Sequence, residues 1–259
     1  MMELDDAYAN AAYIPGGDRY PDKWAAAASA FRDGAMCELD LHYGESPRQR
    51  MDVFHPARLS KGLLVFVHGG YWLRFDKSFW SHLAAGPLAH GWTVAMPSYD
   101  LCPTVRIAEI GVQAMRAIDF AAQRVQGPIR LIGHSAGGHL VARAAVPQPL
   151  QRWQDRLERV VSVSPVSDLA PLMRTSMNAD LKIDAEEAAA ESPVHLPAPR
   201  CPVTVWVGAD ERPVFLEQAR GLAQAWDCGE VVAEGHHHFS VIEELADPQS
   251  PLTREILQE

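Results

Sequence analysis

The sequence has few basic residues, and they form no cluster. Its 259 residues contain 23 Lys and Arg against 33 Asp and Glu, which gives a formal net charge of −10 at pH 7 with histidine neutral. Nucleic acids and anionic membrane surfaces select proteins with basic patches, so we expect neither as a partner.

Long apolar runs and closely spaced cysteines are also absent. No stretch of 18 apolar residues occurs, and the first residues, MMELDDAYANAAY, are acidic where a secretory signal is basic. The four cysteines, Cys37, Cys102, Cys201 and Cys228, are far apart, which fits neither a disulfide framework nor a zinc site. We therefore expect a cytoplasmic protein with reduced thiols and no membrane span.

Short apolar runs alternate with helical stretches along the chain. Six runs are rich in β-branched residues, as in strands buried on both faces: residues 63–68, 92–98, 129–134, 159–164, 203–208 and 230–235. Between residues 107 and 125, apolar residues recur at three- and four-residue spacing and form one buried helical stripe. The alternation predicts an α/β fold with a mostly parallel, doubly wound sheet and helices on both faces.

Two segments depart from this alternation. Residues 37–43 and 51–54 alternate polar and apolar positions, which predicts an antiparallel pair at the N-terminal edge of the sheet. Residues 165–202 are long for a simple connection, and connections of such length are often functional. We expect one domain over residues 1–259, with 165–202 as a small cap-like insertion over the strand ends. A short helix is predicted at 184–190, and a surface excursion that touches no site is the alternative.

The segment RLIGHSAGGHLV, residues 130–141, carries the clearest chemical signal. Within it, GHSAG at 133–137 fits the pattern G-x-S-x-G and stands between a predicted strand and a predicted helix. A serine on so sharp a turn has a strained backbone, and the neighbours two residues away must lack side chains to let the turn pass. Ser135 is therefore the predicted nucleophile, and a glycine turn with an incidental serine is the alternative.

A second glycine-rich loop, in VFVHGGYW at residues 65–72, follows the first of the six runs. Such a loop lets backbone N–H groups turn toward a nucleophile and hold a developing negative charge. The predicted donors of this oxyanion hole are the N–H groups of Gly70, Tyr71 and Ala136. We expect His68 to hold the loop by hydrogen bonding rather than to act as a base.

A serine nucleophile needs a base and a carboxylate that orients the base, in the chain order serine, acid, histidine. Asp210 and Glu211 follow one predicted strand, and the histidine run at 236–238 follows the next. Glu211 is the predicted acid because it directly precedes the Arg-Pro at which the next helix begins. His238 is the predicted base because an apolar helical stretch follows it. Asp210 and His237 are the alternatives.

Three adjacent histidines also raise the question of a metal. Neighbouring loop residues cannot all turn toward one ion as helix-spaced ligands can, and the cysteines show no ligand spacing around them. We therefore expect no metal and no cofactor.

These motifs resemble those of the α/β-hydrolases, and within them the kynurenine formamidase (arylformamidase)-like esterases. HGGYW at 68–72 is similar to the oxyanion loop of that group, SYDLCP at 98–103 to the loop after the next strand, and GHSAG at 133–137 to the serine elbow. The resemblance extends from residue 40 to residue 246 or so.

The resemblance also implies the acid and the base. Glu211 precedes a residue and then Pro-x-Phe, as the formamidase acid does, and His238 begins a similar His-Phe with Ile-Glu shortly after. The departure is a glutamate where those enzymes usually have aspartate, which keeps Asp210 in contention.

The reaction implied by the resemblance is acyl transfer through an acyl-enzyme, as in a carboxylesterase or arylformamidase. Ser135, His238 and Glu211 would form the triad, with Tyr71 and Trp72 binding a small-molecule ester or formamide substrate. The alternative is a non-catalytic member of the fold that binds a small ligand. The sequence leaves open the physiological substrate, the choice between ester and formamide, and whether two copies form a homodimer.

Overall fold

A computed structural model describes residues 2–148 and 151–258. The described residues form eight strands in one sheet: β1 (Cys37–His42), β2 (Arg50–Phe54), β3 (Leu63–Val67), β4 (Thr93–Pro97), β5 (Ile129–His134), β6 (Leu157–Val163), β7 (Val203–Gly208) and β8 (Gly229–Ala233). The strand order is β1-β2-β4-β3-β5-β6-β7-β8. β1 and β2 are antiparallel to their neighbours, and the other six strands, β3 to β8, are parallel to one another. The predicted α/β fold with an antiparallel N-terminal edge is confirmed.

Helices cover both faces of this sheet. Those in the described residues are α1 (Tyr20–Gly34), α2 (Ala85–Ala89), α3 (Ile107–Ala122), α4 (Ala136–Ala145), α5 (Asn178–Leu181), α6 (Ala185–Glu191), α7 (Pro213–Trp226) and α8 (Pro251–Ile256). One apolar core lies between the sheet and α3, α4 and α7, and a second lies against α1 and α8. Because both faces are covered, every residue of β3, β4, β5 and β7 is buried, as their continuous apolar sequences require.

The last strand differs from its prediction. The sequence of β8 predicts burial on both faces, but β8 is an edge strand that pairs only with β7, and three of its five residues are exposed. Composition does not distinguish an edge from a centre here, because Val231 and Val232 suit either position. The prediction of full burial was wrong.

Residues 165–202 pack onto the body of the protein. They contain α5 and α6, and α6 lies where the sequence predicted a short helix. Arg106, directly before α3, binds Asp184 and Glu187 at 2.8 Å each. Leu172 and Ile183 are buried in the core.

Residues 2–19, which we call the N-terminal strap, precede α1 and contact residues 165–202 and the start of α7. The backbone N–H of Leu4 donates to the Arg174 carbonyl at 3.2 Å, and Asp6 binds Arg212 at 2.7 Å. Tyr8 is buried, with 2% of its surface exposed. Nowhere in the described chain is a helix both long and apolar enough to cross a membrane.

Candidate active site

Ser135 lies on the turn between β5 and α4. Its backbone has φ 57° and ψ −118°, a conformation that residues other than glycine rarely adopt. A Cβ on Gly133 would lie 2.1 Å from the Gly137 carbonyl oxygen, and a Cβ on Gly137 would lie 2.0 Å from that of Val67. Side chains at those two positions would collide with backbone, which explains why glycines flank the serine.

His238 and Glu211 form a buried hydrogen-bonded pair. His238 Nδ1 is 2.5 Å from Glu211 Oε2, and the two side chains are 4% and 0% exposed. The other carboxylate oxygen accepts hydrogen bonds from the Ser164 hydroxyl at 2.5 Å and from the Gly208 N–H at 2.9 Å. With both oxygens engaged, the carboxylate fixes the orientation of the imidazole ring.

Ser164 is a residue of this site that sequence reasoning missed. It follows β6 directly and has a φ of 48°, and its side chain is directed at the carboxylate of Glu211. The only sequence signal is a serine at the carboxyl end of a buried strand, where ligand sites of such sheets lie.

The alternative acid and base are turned elsewhere. Asp210 is exposed, whereas Glu211 is buried. His237 Nε2 lies 3.2 Å from the Tyr20 hydroxyl. The structure therefore brings together Glu211 and His238, and it does not place either alternative in their pair.

Ser135 and His238 line one cavity of about 600 Å³. This volume lies within the range of small-molecule sites. One wall is aromatic and includes Trp24 and Trp80, whose ring centroids are 4.6 Å apart, together with Phe239. The cavity can thus hold an aromatic group beside the serine hydroxyl.

The N-terminal strap and the start of α1 supply much of the cavity wall. Ten of its 22 lining residues lie within residues 5–24, and two, Ser176 and Met177, lie within 165–202. The insertion predicted to act as a cap therefore contributes a small part. The strap carries no motif and no clean periodicity that could have predicted its position.

The loop after β3 leaves backbone donors available. Gly70 has a φ of 117°, and its carbonyl accepts the N–H groups of Leu73 and Arg74 at 3.0 and 3.1 Å. Within residues 2–148 and 151–258, neither Gly70 nor Tyr71 donates its own backbone N–H to an acceptor of the chain. Ala136 is the first residue of α4, where an N–H has no acceptor within the helix.

The two predicted substrate-binding residues lie in different surroundings. Tyr71 lines the cavity, and its hydroxyl donates to the carbonyl of Tyr8 at 2.7 Å. Trp72 is fully buried in the core, with its ring edge-on to His139 at 5.1 Å, and is not part of the cavity wall. Direct contact between Trp72 and a substrate is therefore not supported, because the Trp72 side chain is enclosed in the core.

Three further histidines are buried at or near the cavity, and one of them, His134, lines it. His68 Nδ1 donates to the Gly69 carbonyl at 2.8 Å, which fits the expectation that His68 holds the glycine loop. His134 Nε2 donates to the His238 carbonyl at 2.8 Å and so supports the histidine loop. Burial lowers the pKa of His68 and of His139 to about 4, and that of His134 well below its usual value, so these three rings are neutral at pH 7.

The histidine run does not form a metal site in the described part of the chain. There, no group of three or more His, Cys, Asp or Glu residues is arranged to hold an ion. His236 lies 3.9 Å from Glu244, His237 lies beside Tyr20, and His238 faces Glu211.

Comparisons with known proteins agree with this fold. A family model described as the alpha/beta hydrolase fold matches residues 64–196, just over half of the chain. Kynurenine formamidase from Salmo salar is 30% identical over 242 residues, which cover 86% of this chain and 82% of that protein.

Solved structures add two comparisons. A crystal structure from Silicibacter sp. TM1040, whose assignment as a thioesterase is provisional, is 55% identical, covers 99% of both chains and has a TM-score of 0.97. An esterase from Pyrobaculum calidifontis is 18% identical with a TM-score of 0.70, covers 92% of both chains and supports the fold alone. The family match and the formamidase relative together show that this chain is a hydrolase-fold protein and belongs to the α/β-hydrolase family.

Proposed function

We propose that the protein is a serine hydrolase that cleaves small acyl esters or aryl formamides through an acyl-enzyme. The observation that carries the proposal is the buried hydrogen bond between His238 and Glu211 in the wall of the cavity that Ser135 also lines. A serine on a strained turn, a histidine and an orienting carboxylate are the three groups that nucleophilic acyl transfer requires.

The chemistry follows from which atoms are already engaged. His238 Nδ1 is bound to Glu211, so its Nε2 is the nitrogen left to accept the proton of the Ser135 hydroxyl. The serine oxygen attacks the substrate carbonyl, and Glu211 stabilises the imidazolium that forms. The imidazolium then gives its proton to the leaving group, and water releases the acyl group by the same steps.

Backbone N–H groups of Gly70, Tyr71 and Ala136 are the proposed oxyanion hole. Two of them belong to the loop after β3 and one to the first turn of α4, so they approach the reacting carbonyl from different elements. Donors fixed in place before reaction need no reorganisation, and each such donor is worth roughly 3 kcal/mol of barrier.

The cavity supports a small acyl group with an aromatic leaving group. Its aromatic wall offers a surface for a ring, and aromatic pairs gain about 1 kcal/mol beyond simple burial. Similarity to kynurenine formamidase supports a formamide substrate, and the same attack on a carbonyl would also cleave an ester. The Silicibacter protein adds thioesters as a third candidate class, because the same attack on a carbonyl would cleave them.

The test compares the wild type with Ser135→Ala on p-nitrophenyl acetate, N-formylkynurenine, phenyl thioacetate and a long-chain ester. We expect turnover of at least one short acyl substrate and a loss of about 10³-fold or more in the variant. Circular dichroism and thermal unfolding should be unchanged in Ser135→Ala, so that lost activity reports chemistry rather than folding.

Two outcomes would overturn parts of this proposal. No turnover of any substrate by the wild type would favour the non-catalytic, ligand-binding alternative. Hydrolysis of N-formylkynurenine no faster than that of p-nitrophenyl acetate would reject the formamidase version and leave the esterase version standing.

A further inference from the structure

Arg74 is an unpaired cation on the wall of the cavity. It lines the cavity, is exposed to solvent, and its guanidinium has no hydrogen-bond or ion-pair partner among residues 2–148 and 151–258. Other arginines at this end of the molecule are engaged: Arg212 binds Asp6, and Arg174 binds Glu3. An arginine that is left free beside a substrate cavity is available to a ligand.

The position of Arg74 is fixed by the oxyanion loop. Its backbone N–H donates to the Gly70 carbonyl at 3.1 Å, and its own carbonyl lies 2.5 Å from where a Gly70 Cβ would be. The loop therefore folds back on itself, and the residue that carries the guanidinium is tied to one of the proposed oxyanion donors. The backbone of Arg74 is thus fixed by this loop, and its side chain lines the same cavity as Ser135.

Carboxylates on the same wall restrict where an anion can bind. Asp5 lines the cavity but already accepts the N–H of Ser176 at 2.6 Å, and Asp18 lines it without a partner in the described chain. The protein as a whole carries a net charge of −10. Among the described residues that line this cavity, Arg74 is the one Lys or Arg, so its guanidinium favours a carboxylate where the neighbouring Asp5 and Asp18 disfavour one.

We propose that Arg74 is a specificity-determining residue that binds a carboxylate on the substrate, away from the reacting carbonyl. The guanidinium presents a planar fork that matches a carboxylate through two parallel hydrogen bonds. Combined with the aromatic wall, it selects acyl donors that carry both a ring and a negative charge. This inference rests on the proposed function and names the substrate class of the same site.

The test uses two aryl acetates of similar shape, 4-acetoxybenzoate, which is anionic, and 4-acetoxybenzamide, which is neutral. We expect Arg74→Gln to lower kcat/KM for the benzoate about tenfold, mainly through KM, and to change that for the benzamide less than about twofold. Arg74→Lys should recover part of the loss, because it keeps the charge without the fork. Arg220→Gln, which removes an exposed arginine of α7 outside the cavity, is the matched control and should change neither substrate.

Equal effects of Arg74→Gln on both substrates, or no effect on the benzoate, would overturn the proposal. A rise in activity toward the benzoate would assign Arg74 to a different role. Binding of the products 4-hydroxybenzoate and 4-hydroxybenzamide to Ser135→Ala, with and without Arg74→Gln, tests charge recognition without turnover. If the wild type proves inactive but the benzoate still binds more tightly through Arg74, the proposed function fails and the carboxylate site stands.

Discussion

The turn that carries Ser135 and the N-terminal strap border the same cavity, but they are held in different ways. The turn is fixed by backbone contacts from both sides, since the Ser135 N–H donates to the Val163 carbonyl at 2.8 Å and Gly137 packs directly against β3. The strap makes a backbone hydrogen bond from Leu4 to Arg174, but its other contacts use side chains, such as the Asp6 pair with Arg212 and the Tyr71 hydroxyl on the Tyr8 carbonyl.

Under the proposed function, the reacting groups lie on elements held by backbone, and much of the substrate-facing wall lies on the strap. Backbone packing leaves no freedom to the groups that would perform the chemistry, and such sites are commonly built on rigid elements. Side-chain hydrogen bonds and exposed ion pairs contribute about 1 kcal/mol or less each, so the strap is the more easily altered half. The predictions below test this contrast, beginning with the largest expected effect.

The first concerns the acid behind His238. Glu211→Gln keeps the shape of the side chain but removes the charge that stabilises the imidazolium, so kcat should fall about 10³-fold, or about 4 kcal/mol of barrier. Asp210→Asn is the matched control, because Asp210 is an exposed neighbour, and its steady-state kinetics should stay close to wild type. The reverse ranking of the two variants would assign the acid to Asp210.

The second concerns the glycine behind the serine. Gly137→Ala places a Cβ 2.0 Å from the Val67 carbonyl oxygen, so the free energy of unfolding should fall by about 3 kcal/mol in urea titrations. Gly221→Ala in α7 is the control, because its Cβ would meet nothing within 4 Å. That variant should gain up to about 1 kcal/mol from helix propensity. Equal stability of the two variants would show that the turn is not fixed by packing.

The third prediction concerns the loss of stability at low pH. His68 and His139 are neutral in the folded protein with a pKa of about 4, whereas in the unfolded chain they bind protons below about pH 6.5. Their contribution to stability is therefore complete above pH 6.5 and is lost as the pH falls toward 4. Each ring should cost of the order of 2 kcal/mol by pH 5.

The measurement is the free energy of unfolding between pH 7 and pH 5, in the wild type and in His139→Gln. The variant should show a shallower decline over this range, whatever its stability at pH 7. The strap contains no histidine, so it adds no histidine titration to this decline. An unchanged slope in His139→Gln would show that the ring does not stay neutral on folding.

The smallest effect is expected at the strap. Tyr71→Phe removes the hydroxyl that donates to the Tyr8 carbonyl, which should lower the free energy of unfolding by about 1 kcal/mol and raise KM a few-fold. Tyr13→Phe is the control, because that hydroxyl is exposed and bonds to the exposed carboxylate of Asp6, so the change should cost less than about 0.5 kcal/mol. A fall in kcat as large as that of Glu211→Gln would break the separation of reaction from recognition.

The same contrast explains what the sequence could predict. The sequence predicts β3, β5 and β7 because parallel strands buried on both faces need continuous apolar residues. It predicts the GHSAG turn because any side chain at Gly133 or Gly137 would collide with backbone. Chain order predicts Glu211 and His238 as a pair, which the hydrogen bond between them supports, and the start of α7 at Pro213 helps to select Glu211. These features are local in the chain, so a short stretch of sequence contains their cause. The helical stretch predicted after His238 is instead a series of turns and a short 3-10 helix at Glu243–Ala246.

Other features depend on residues far apart in the chain. The strap reaches the cavity through pairs such as Asp6 with Arg212 and Tyr8 with Tyr71, and neither partner carries a local pattern that names the other. Nothing in the local sequence distinguishes Ser164 from other serines. It meets Glu211 only because β6 and β7 are neighbours in the sheet. The orientation of Trp72 is set by a loop with positive φ at Tyr71 and Trp72, which apolar content does not reveal.

The division of labour around this cavity has a consequence for protein engineering. A library of variants confined to residues 5–18 would change the part of the cavity wall that the strap forms. It would leave the turn of Ser135, the loop of His238 and the loop after β3 unaltered. If the proposed function holds, screening such a library for new acyl donors would vary selectivity while the proposed triad stays intact.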